Sequence, residues 1–420
     1  MNSAEHVGMN SAHDAALDVT DLLPAQRSLR VAVVTETYPP EINGVALSLA
    51  KLVDGMLARG HEIQLVRPRQ AVASQASHSE GMQEMLMRGL PIPRYPQLRL
   101  GLPAKSALVT AWQKRRPDLV HIATEGPLGW SALQAARKLR LPVSSEFRTN
   151  FHAYSAHYGL GWLNRTIAAY LRKFHNQAGL TMVPTEALRE QLAQLGFERL
   201  SVVGRGVDTR RFDPARRDDD LRQRWGVQPG DPVLLYVGRL APEKNLSLLI
   251  KAYQAMAQQQ ARLRLVVVGD GPSADELRRR CPSAIMLGMQ SGLELAAIYA
   301  SADMFLFPSV TETFGNVTPE ALASGLAFVA YEHAAAQELV CHGDNGLLAP
   351  LHDEDAFVRR ACDVLDRWQP DGPMRLAARR SMLARDWQSI LAQVEDRWWS
   401  AIGSAEPQRR RSVVGLAVQA

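Results

Sequence analysis

Two glutamates, Glu312 and Glu320, are separated by seven residues in the run Thr311–Leu322, TETFGNVTPEAL. Upstream, the apolar Met304-Phe-Leu-Phe307 reads as a strand that ends at Pro308-Ser309. Downstream, Glu320-Ala-Leu-Ala-Ser-Gly325 has the composition of a helix closed by glycine, and Ala327–Ala330 is strand-like again. A strand, a glycine-bearing loop and a helix start aim free N–H groups and the positive helix end at one point, which suits an anion. Carboxylates beside that point do not suit phosphate; they suit hydroxyls. The combination points to a ligand with both phosphates and sugars. Alone, these residues also fit an ordinary helix N-terminus with acids near the dipole.

A second group accompanies them. Val237-Gly238-Arg239-Leu-Ala-Pro-Glu-Lys244 follows a strand and precedes a helix, at the carboxyl end of a sheet, where open α/β folds bind ligands. Arg239 offers a planar fork for phosphate oxygens and Lys244 a compact charge. On their own the pair could equally be two solvated surface cations. Asp218-Asp-Asp220 and Asp353-Glu-Asp355 are acidic enough to suggest metal ligands, but neither follows an apolar strand. They read as solvated surface, and no metal site is expected.

These residues need a frame. Arg30–Val34, a helical stretch Ala46–Arg59 closed by Gly60, and Glu62–Val66 form a βαβ unit, and Leu119–Ala123, Gly129–Leu139 and Val143–Glu146 repeat it. Leu163–Ala178 reads as a long helix and Leu180–Val183 as the next strand. The Gly-, Asp- and Pro-rich run Val203–Pro214 has linker composition. A second series follows, with strands at Val233–Val237, Leu265–Val268, Ile285–Leu287, Met304–Phe307 and Phe328–Ala330. Two doubly wound α/β domains facing across a cleft are expected. Boundaries fall at 1–28 for a disordered leader, 29–204 and 205–385 for the domains, 386–403 for a terminal helix and 404–420 for a loose basic tail.

Composition agrees with a globular protein: 420 residues, 46% hydrophobic and 22% charged. No apolar run approaches the roughly 20 residues of a membrane span. The N-terminus lacks the basic start and apolar core of a secretory signal. Cys281, Cys341 and Cys362 are scattered without metal-type spacing, which fits a reducing cytosol. The net charge of +5 allows an anionic partner, but no aromatic-basic motif points to nucleic acid.

The run SVTETFGNVTPEALASGLAFVA resembles the donor-binding signature of the retaining GT-B glycosyltransferases of family 4, and the likeness extends from about Arg30 to Ile402. Its nearest look is to the sulfoquinovosyl-diacylglycerol synthase and α-mannosyltransferase subgroup. The resemblance implies that Glu312 touches the transferred sugar. It further implies that Phe314, Gly315, Asn316 and Val317 present backbone N–H groups to sugar and diphosphate, and that Glu320 takes the ribose hydroxyls. Arg239 and Lys244 would clamp the diphosphate of a UDP- or GDP-sugar, with no separate cofactor and no metal. Gly269, in Val268-Gly-Asp-Gly-Pro272, would lie beneath the nucleotide, Met289 beside the base, and Gly44 where the first domain approaches the phosphates. Gly44 and Gly269 also suit turns of any α/β domain. The terminal helix would cross back onto the first domain.

One position departs from the pattern. Many relatives carry a sugar-contacting histidine in a Phe-His-Thr segment; here Phe147-Arg148-Thr149 puts Arg148 in that place. Arg148 could bind a carboxylate, sulfonate or phosphate on donor or acceptor. His152 is a nearby substitute candidate, and His121, on the strand Leu119–Ala123, a further one with a structural alternative.

The segment Pro91–Pro103 is similar to one in family members that glycosylate lipids. The acceptor is therefore expected to be a glycan or a membrane lipid such as diacylglycerol, reached from the cytoplasmic side. Leu163–Ala178, with Arg165, Arg172, Lys173 and His175 beside apolar residues, could lie on an anionic membrane or be a core helix with a wet basic face. An epimerase or a silent partner subunit on the same scaffold are the alternatives to a transferase.

Overall fold

The computed structural model describes residues 28–41, 43–70, 76, 78–92, 95–148 and 161–414. Strands of the first sheet are β1 (Arg30–Val34), β2 (Glu62–Pro68), β3 (His78–Ser79), β4 (Met82–Met87), β7 (Leu119–Ile122), β8 (Val143–Glu146), β9 (Leu180–Val183) and β10 (Leu200–Val202). Their order is β10-β9-β8-β7-β1-β2-β4-β3, parallel except for β3. Between β4 and β7 a separate hairpin joins β5 (Gly89–Ile92) to β6 (Tyr95–Gly101). Helices α1 (Gly44–Ala58), α2 (Pro127–Lys138) and α3 (Gly161–His175) belong to this half.

The second sheet holds β11 (Val233–Val237), β12 (Arg264–Val268), β13 (Ile285–Met286), β14 (Met304–Phe307), β15 (Ala327–Tyr331) and β16 (Gly346–Ala349). Its order is β13-β12-β11-β14-β15-β16, all parallel. Val-Leu-Leu-Tyr-Val in β11 is buried along its whole length, as a strand covered on both faces must be. Helix α4 (Val317–Ala323) follows β14, and the long α5 (Trp387–Val414) ends the described chain.

Helix α5 returns to the first domain. Ile390, Leu391, Val394 and Trp398 share one core with Val31 and Val33 of β1 and Leu49, Leu52, Val53 and Met56 of α1. A Cβ on Gly55 would lie 2.3 Å from Leu391, so this glycine sets how closely α1 and α5 pack. Burying Trp398 completely contributes on the order of 3 kcal/mol. The chain crosses between the domains twice, and the crossings touch where Val207 N–H donates to Arg385 O at 3.1 Å.

Three features differ from the sequence expectations. Helix α5 continues past 403 to Val414 and carries Pro407 within it. Strands β3 to β6 are not evident in the sequence; β3 has two residues, and Pro91 in β5 and Pro96 in β6 mask the apolar pattern there. His175 does not join the basic face of α3. Its ring is fully buried, bonded to Ser145 Oγ at 2.9 Å and to Glu125 Oε1 at 3.2 Å, while Arg172 and Lys173 face solvent and Leu171 and Phe174 the core. Among the described residues no helix is long and apolar enough to cross a membrane.

Candidate active site

The carboxyl ends of β11, β12 and β14 meet at the cleft. A Cβ on Gly269 would fall 1.9 Å from Gly238 O, and Gly269 has φ +132, so two strand ends can touch here only as bare backbone. After β11, the 3₁₀ turn Pro242–Lys244 and the left-handed Asn245 (φ 54) turn the chain into its next helix. This delivers Lys244 onto Glu312, where the ammonium and the carboxylate form an ion pair. Ser309 Oγ donates to the same Glu312 oxygen at 2.7 Å. Arg239 pairs with Glu243 and keeps half of its side chain exposed. Thr311 Oγ1 donates to Glu243 O at 3.2 Å and ties the two loops together.

In the loop before α4, Phe314 is buried as an anchor and Gly315 takes φ +91. The first N–H groups of α4 have no acceptor within their own helix. Glu320 accepts a 3.0 Å hydrogen bond from the buried Tyr299 hydroxyl. Burial raises its pKa to about 7, against the opposing pull of Tyr299 and Arg211.

The first domain supplies the facing wall. Thr37 Oγ1 donates to the buried Glu41 carboxylate, Asn43 Nδ2 to Thr37 Oγ1 at 2.7 Å, and Gln70 Nε2 to Glu41 Oε1 at 3.0 Å. Asn43 Oδ1 then caps α1 by accepting from Ala46 N–H at 2.8 Å. These bonds hold Gly44, whose carbonyl accepts from Asn316 Nδ2 across the cleft at 3.4 Å. Arg148 donates from Nη1 to Ser48 Oγ at 2.6 Å and from Nη2 to Glu146 at 2.7 Å, and its carbonyl accepts from Thr313 Oγ1 at 3.5 Å. Arg205 pairs with the other oxygen of Glu146. Burial alone would raise the Glu146 pKa, but Arg148 and Arg205 hold it well below the usual range. Burial, then Arg205, brings Arg148 down to about 10, so it stays charged at neutral pH.

The walls enclose a cleft of about 810 Å³. Arg239, Lys244, Glu312, Arg148, Gly44, Gly269, Met289 and Phe314 to Val317 all border it. Glu320 and His121 are not among the bordering residues. His121 is buried behind them, bonded to Ser144 Oγ at 3.0 Å, near Glu146 and packed on Trp398. His152 lies outside the described residues. Arg205 and Ser48 border the cleft and went unnoticed in the sequence, where Gly204-Arg205-Gly206 shows only linker composition and Ser48 only helix spacing. Among the described residues no three His, Cys, Asp or Glu side chains are grouped to hold a metal ion. Asp218 and Asp353 cap helices instead, accepting from Leu221 N–H and Ala356 N–H.

Residues 42–211 match the model described as Glycosyltransferase Family 4, and residues 231–367 the model described as Glycosyl transferases group 1. The chain is 34% identical over 371 residues to a GDP-mannose-dependent alpha-mannosyltransferase of Mycobacterium tuberculosis, covering 86% of this chain and 94% of the relative. The chain belongs to the family 4 glycosyltransferases. The transferase is also 26% identical to the alpha-monoglucosyldiacylglycerol synthase of Streptococcus pneumoniae over 74% of this chain and 73% of that one. Its fold matches sucrose-phosphate synthase from Thermosynechococcus elongatus with TM-score 0.75 at 18% identity, covering 90% of this chain and 100% of that chain. The architecture is therefore GT-B, as the signature around Glu312 implied.

Proposed function

We propose that this transferase moves a hexosyl group, with mannose from GDP-mannose as the leading donor, to a hydroxyl of a membrane lipid with retention of configuration. The observation that carries the reading is the Lys244–Glu312 ion pair beside Arg239, opposite Gly44 and Arg148 in one cleft. GDP rather than UDP is favoured by the donor in the name of the mannosyltransferase relative. A lipid acceptor is favoured by the Pro91–Pro103 likeness and by the diacylglycerol in the name of the streptococcal relative.

In this mechanism the C1–O bond to the diphosphate breaks as the acceptor oxygen bonds to C1 from the same face. The acceptor proton passes to the departing diphosphate oxygen. Negative charge grows on that diphosphate, and fixed cations aimed at it are the largest available stabilising effect. Arg239 and Lys244 supply them, so no metal is required. Glu312 orients the sugar and holds Lys244 in place until donor arrives. The N–H groups of Gly315, Asn316 and Val317 receive the phosphate and sugar oxygens, Gly269 gives the nucleotide backbone clearance, Met289 covers the base, and Glu320 takes the ribose. The enzyme works at the cytoplasmic face of the membrane, with the exposed Arg172 and Lys173 available to anionic headgroups.

The test is product analysis. Purified protein, GDP-mannose and diacylglycerol vesicles should yield an α-mannosyl lipid. A β-linked product overturns retention, and turnover that ignores vesicles overturns the lipid acceptor.

A further inference from the structure

The two walls of the cleft carry different charge balances. On the second-domain side Arg239 faces Glu243 and Lys244 faces Glu312, two cations against two carboxylates. On the first-domain side Arg148 and Arg205 both contact one carboxylate, Glu146, and Glu125 acts on Arg148 only from a distance while its own carboxylate bonds His175. All three are nearly out of solvent, with side-chain exposures of 4% for Arg148, 11% for Arg205 and 6% for Glu146. Guanidinium groups held this far from water with donors to spare are costly unless a ligand takes them up.

The molecule contains its own control. Asp303 also gathers arginines, namely Arg217, Arg222 and Arg375. There the guanidinium groups spend their other donors on backbone: Arg222 on Ser301 O and Asp231 O, and Arg375 on Gly325 O, each at 2.6 Å. That cluster is a strut. At the cleft, among the described residues, the buried Arg148 Nε has no hydrogen-bond partner and Arg205 donates to Glu146 alone.

Position adds to the case. The Arg148 carbonyl accepts from Thr313, next to Glu312, so the pair adjoins the loop assigned to the transferred sugar. Arg205 sits where the chain crosses between domains. A Cβ on Gly206 would lie 2.8 Å from Trp387 Cα, so the second crossing fixes the backbone that presents Arg205.

We infer that Arg205 and Arg148, sharing Glu146, form an oxyanion site on the first-domain wall that takes a carboxylate, sulfonate or phosphate carried beside the transferred sugar. This rests on the donor reading above. Arg205 is the member that sets specificity, because Arg148 already holds Ser48 and Glu146.

The experiment saturates the full chain with GDP, so that Arg239 and Lys244 are engaged, and titrates sodium sulfate at constant ionic strength while following thermal unfolding and GDP affinity. Sulfate should stabilise the wild type saturably. Arg205→Gln should weaken the sulfate response about 10- to 100-fold, the range of one charge-assisted hydrogen bond. Arg205→Lys should retain part of it, and GDP affinity should stay within about twofold in both. An equal sulfate response in Arg205→Gln and wild type overturns the site. So does a parallel loss of GDP affinity in a variant whose melting temperature is unchanged, which would assign Arg205 to the diphosphate. If Arg205→Gln misfolds, Arg205→Lys decides through its sulfate response, a full wild-type response overturning the site. Two matched pairs then identify the source: a hexosyl and a hexuronosyl GDP donor, and a neutral and a hexuronide glycolipid acceptor. Arg205→Gln should lower kcat/KM about tenfold for the anionic member of one pair only, and equal effects on both members of both pairs overturn the role. Failure of the wild type to bind GDP would instead sink the donor reading.

Discussion

The Lys244 ammonium rests on the Glu312 carboxylate, and Ser309 Oγ donates to the same oxygen at 2.7 Å. The residue proposed for the leaving group and the residue proposed for the sugar thus hold each other before either has a substrate. Pre-set charge of this kind needs no reorganisation when the reaction begins. A charge-assisted contact is worth roughly 1.5–3 kcal/mol. Lys244→Ala should therefore lower kcat by about one to two powers of ten, with each 1.4 kcal/mol giving about tenfold. Steady-state kinetics with GDP-mannose check this, and an unchanged kcat would remove Lys244 from the mechanism.

Across the cleft, Gly44 O accepts from Asn316 Nδ2 at 3.4 Å, and a Cβ on Gly44 would lie 3.3 Å from the same nitrogen. Gly44→Ala should impair turnover because the asparagine has to give way, and Asn316→Ala alone should cost less than about threefold, as a long polar contact would. In the double variant the losses should not add, because removing the asparagine makes room for the methyl group. Additive losses would show that Gly44 acts independently of this contact.

Gly269→Ala should be destabilising. Its Cβ would fall 1.9 Å from Gly238 O at φ +132, so strand ends must separate. We expect a loss of about 2–4 kcal/mol and a melting temperature lower by about 5–10 °C. Calorimetry checks it, together with weaker GDP binding, since β12 ends at the site proposed for the nucleotide.

Glu320 makes a pH prediction. Its folded pKa, about 7, lies above the ordinary value of 4.5. The folded state therefore holds this proton more tightly, and stability falls as pH rises from about 4.5 to 7. Glu320→Gln removes that fall, so its melting temperature should gain on the wild type between pH 5 and 8. Ribose hydroxyls donating to the carboxylate favour its ionised form, so wild-type GDP affinity should rise over pH 6–8 while the variant's stays low and flat. A pH-independent wild type would place the ribose elsewhere.

Much of this arrangement was legible in the sequence because strand, turn and glycine patterns are local. Val233–Val237, Met304–Phe307 and Phe328–Ala330 declare themselves by unbroken apolar runs, and Gly269 and Gly315 mark turns where a side chain is excluded. Long-range pairing leaves no such trace. The Lys244–Glu312 contact spans 68 residues and the Arg205–Glu146 contact 59, and nothing in either segment names the other. Arg205 was hidden for that reason inside apparent linker. His175 misled in the opposite way: helical spacing puts it beside Arg172 and Lys173, but its partners Ser145 and Glu125 come from other segments of the domain and draw it into the core. The motif assigns Glu320 to the ribose, and only the fold reveals that its carboxylate accepts from Tyr299 and is not among the residues bordering the cleft.

The most direct measurement is nucleoside-diphosphate release by purified wild-type protein and Glu312→Ala, across UDP- and GDP-sugars, with and without diacylglycerol vesicles. The account predicts GDP release from GDP-mannose that depends on vesicles and falls by at least about tenfold in Glu312→Ala. Equal release by the two proteins, or none from any donor, would contradict it.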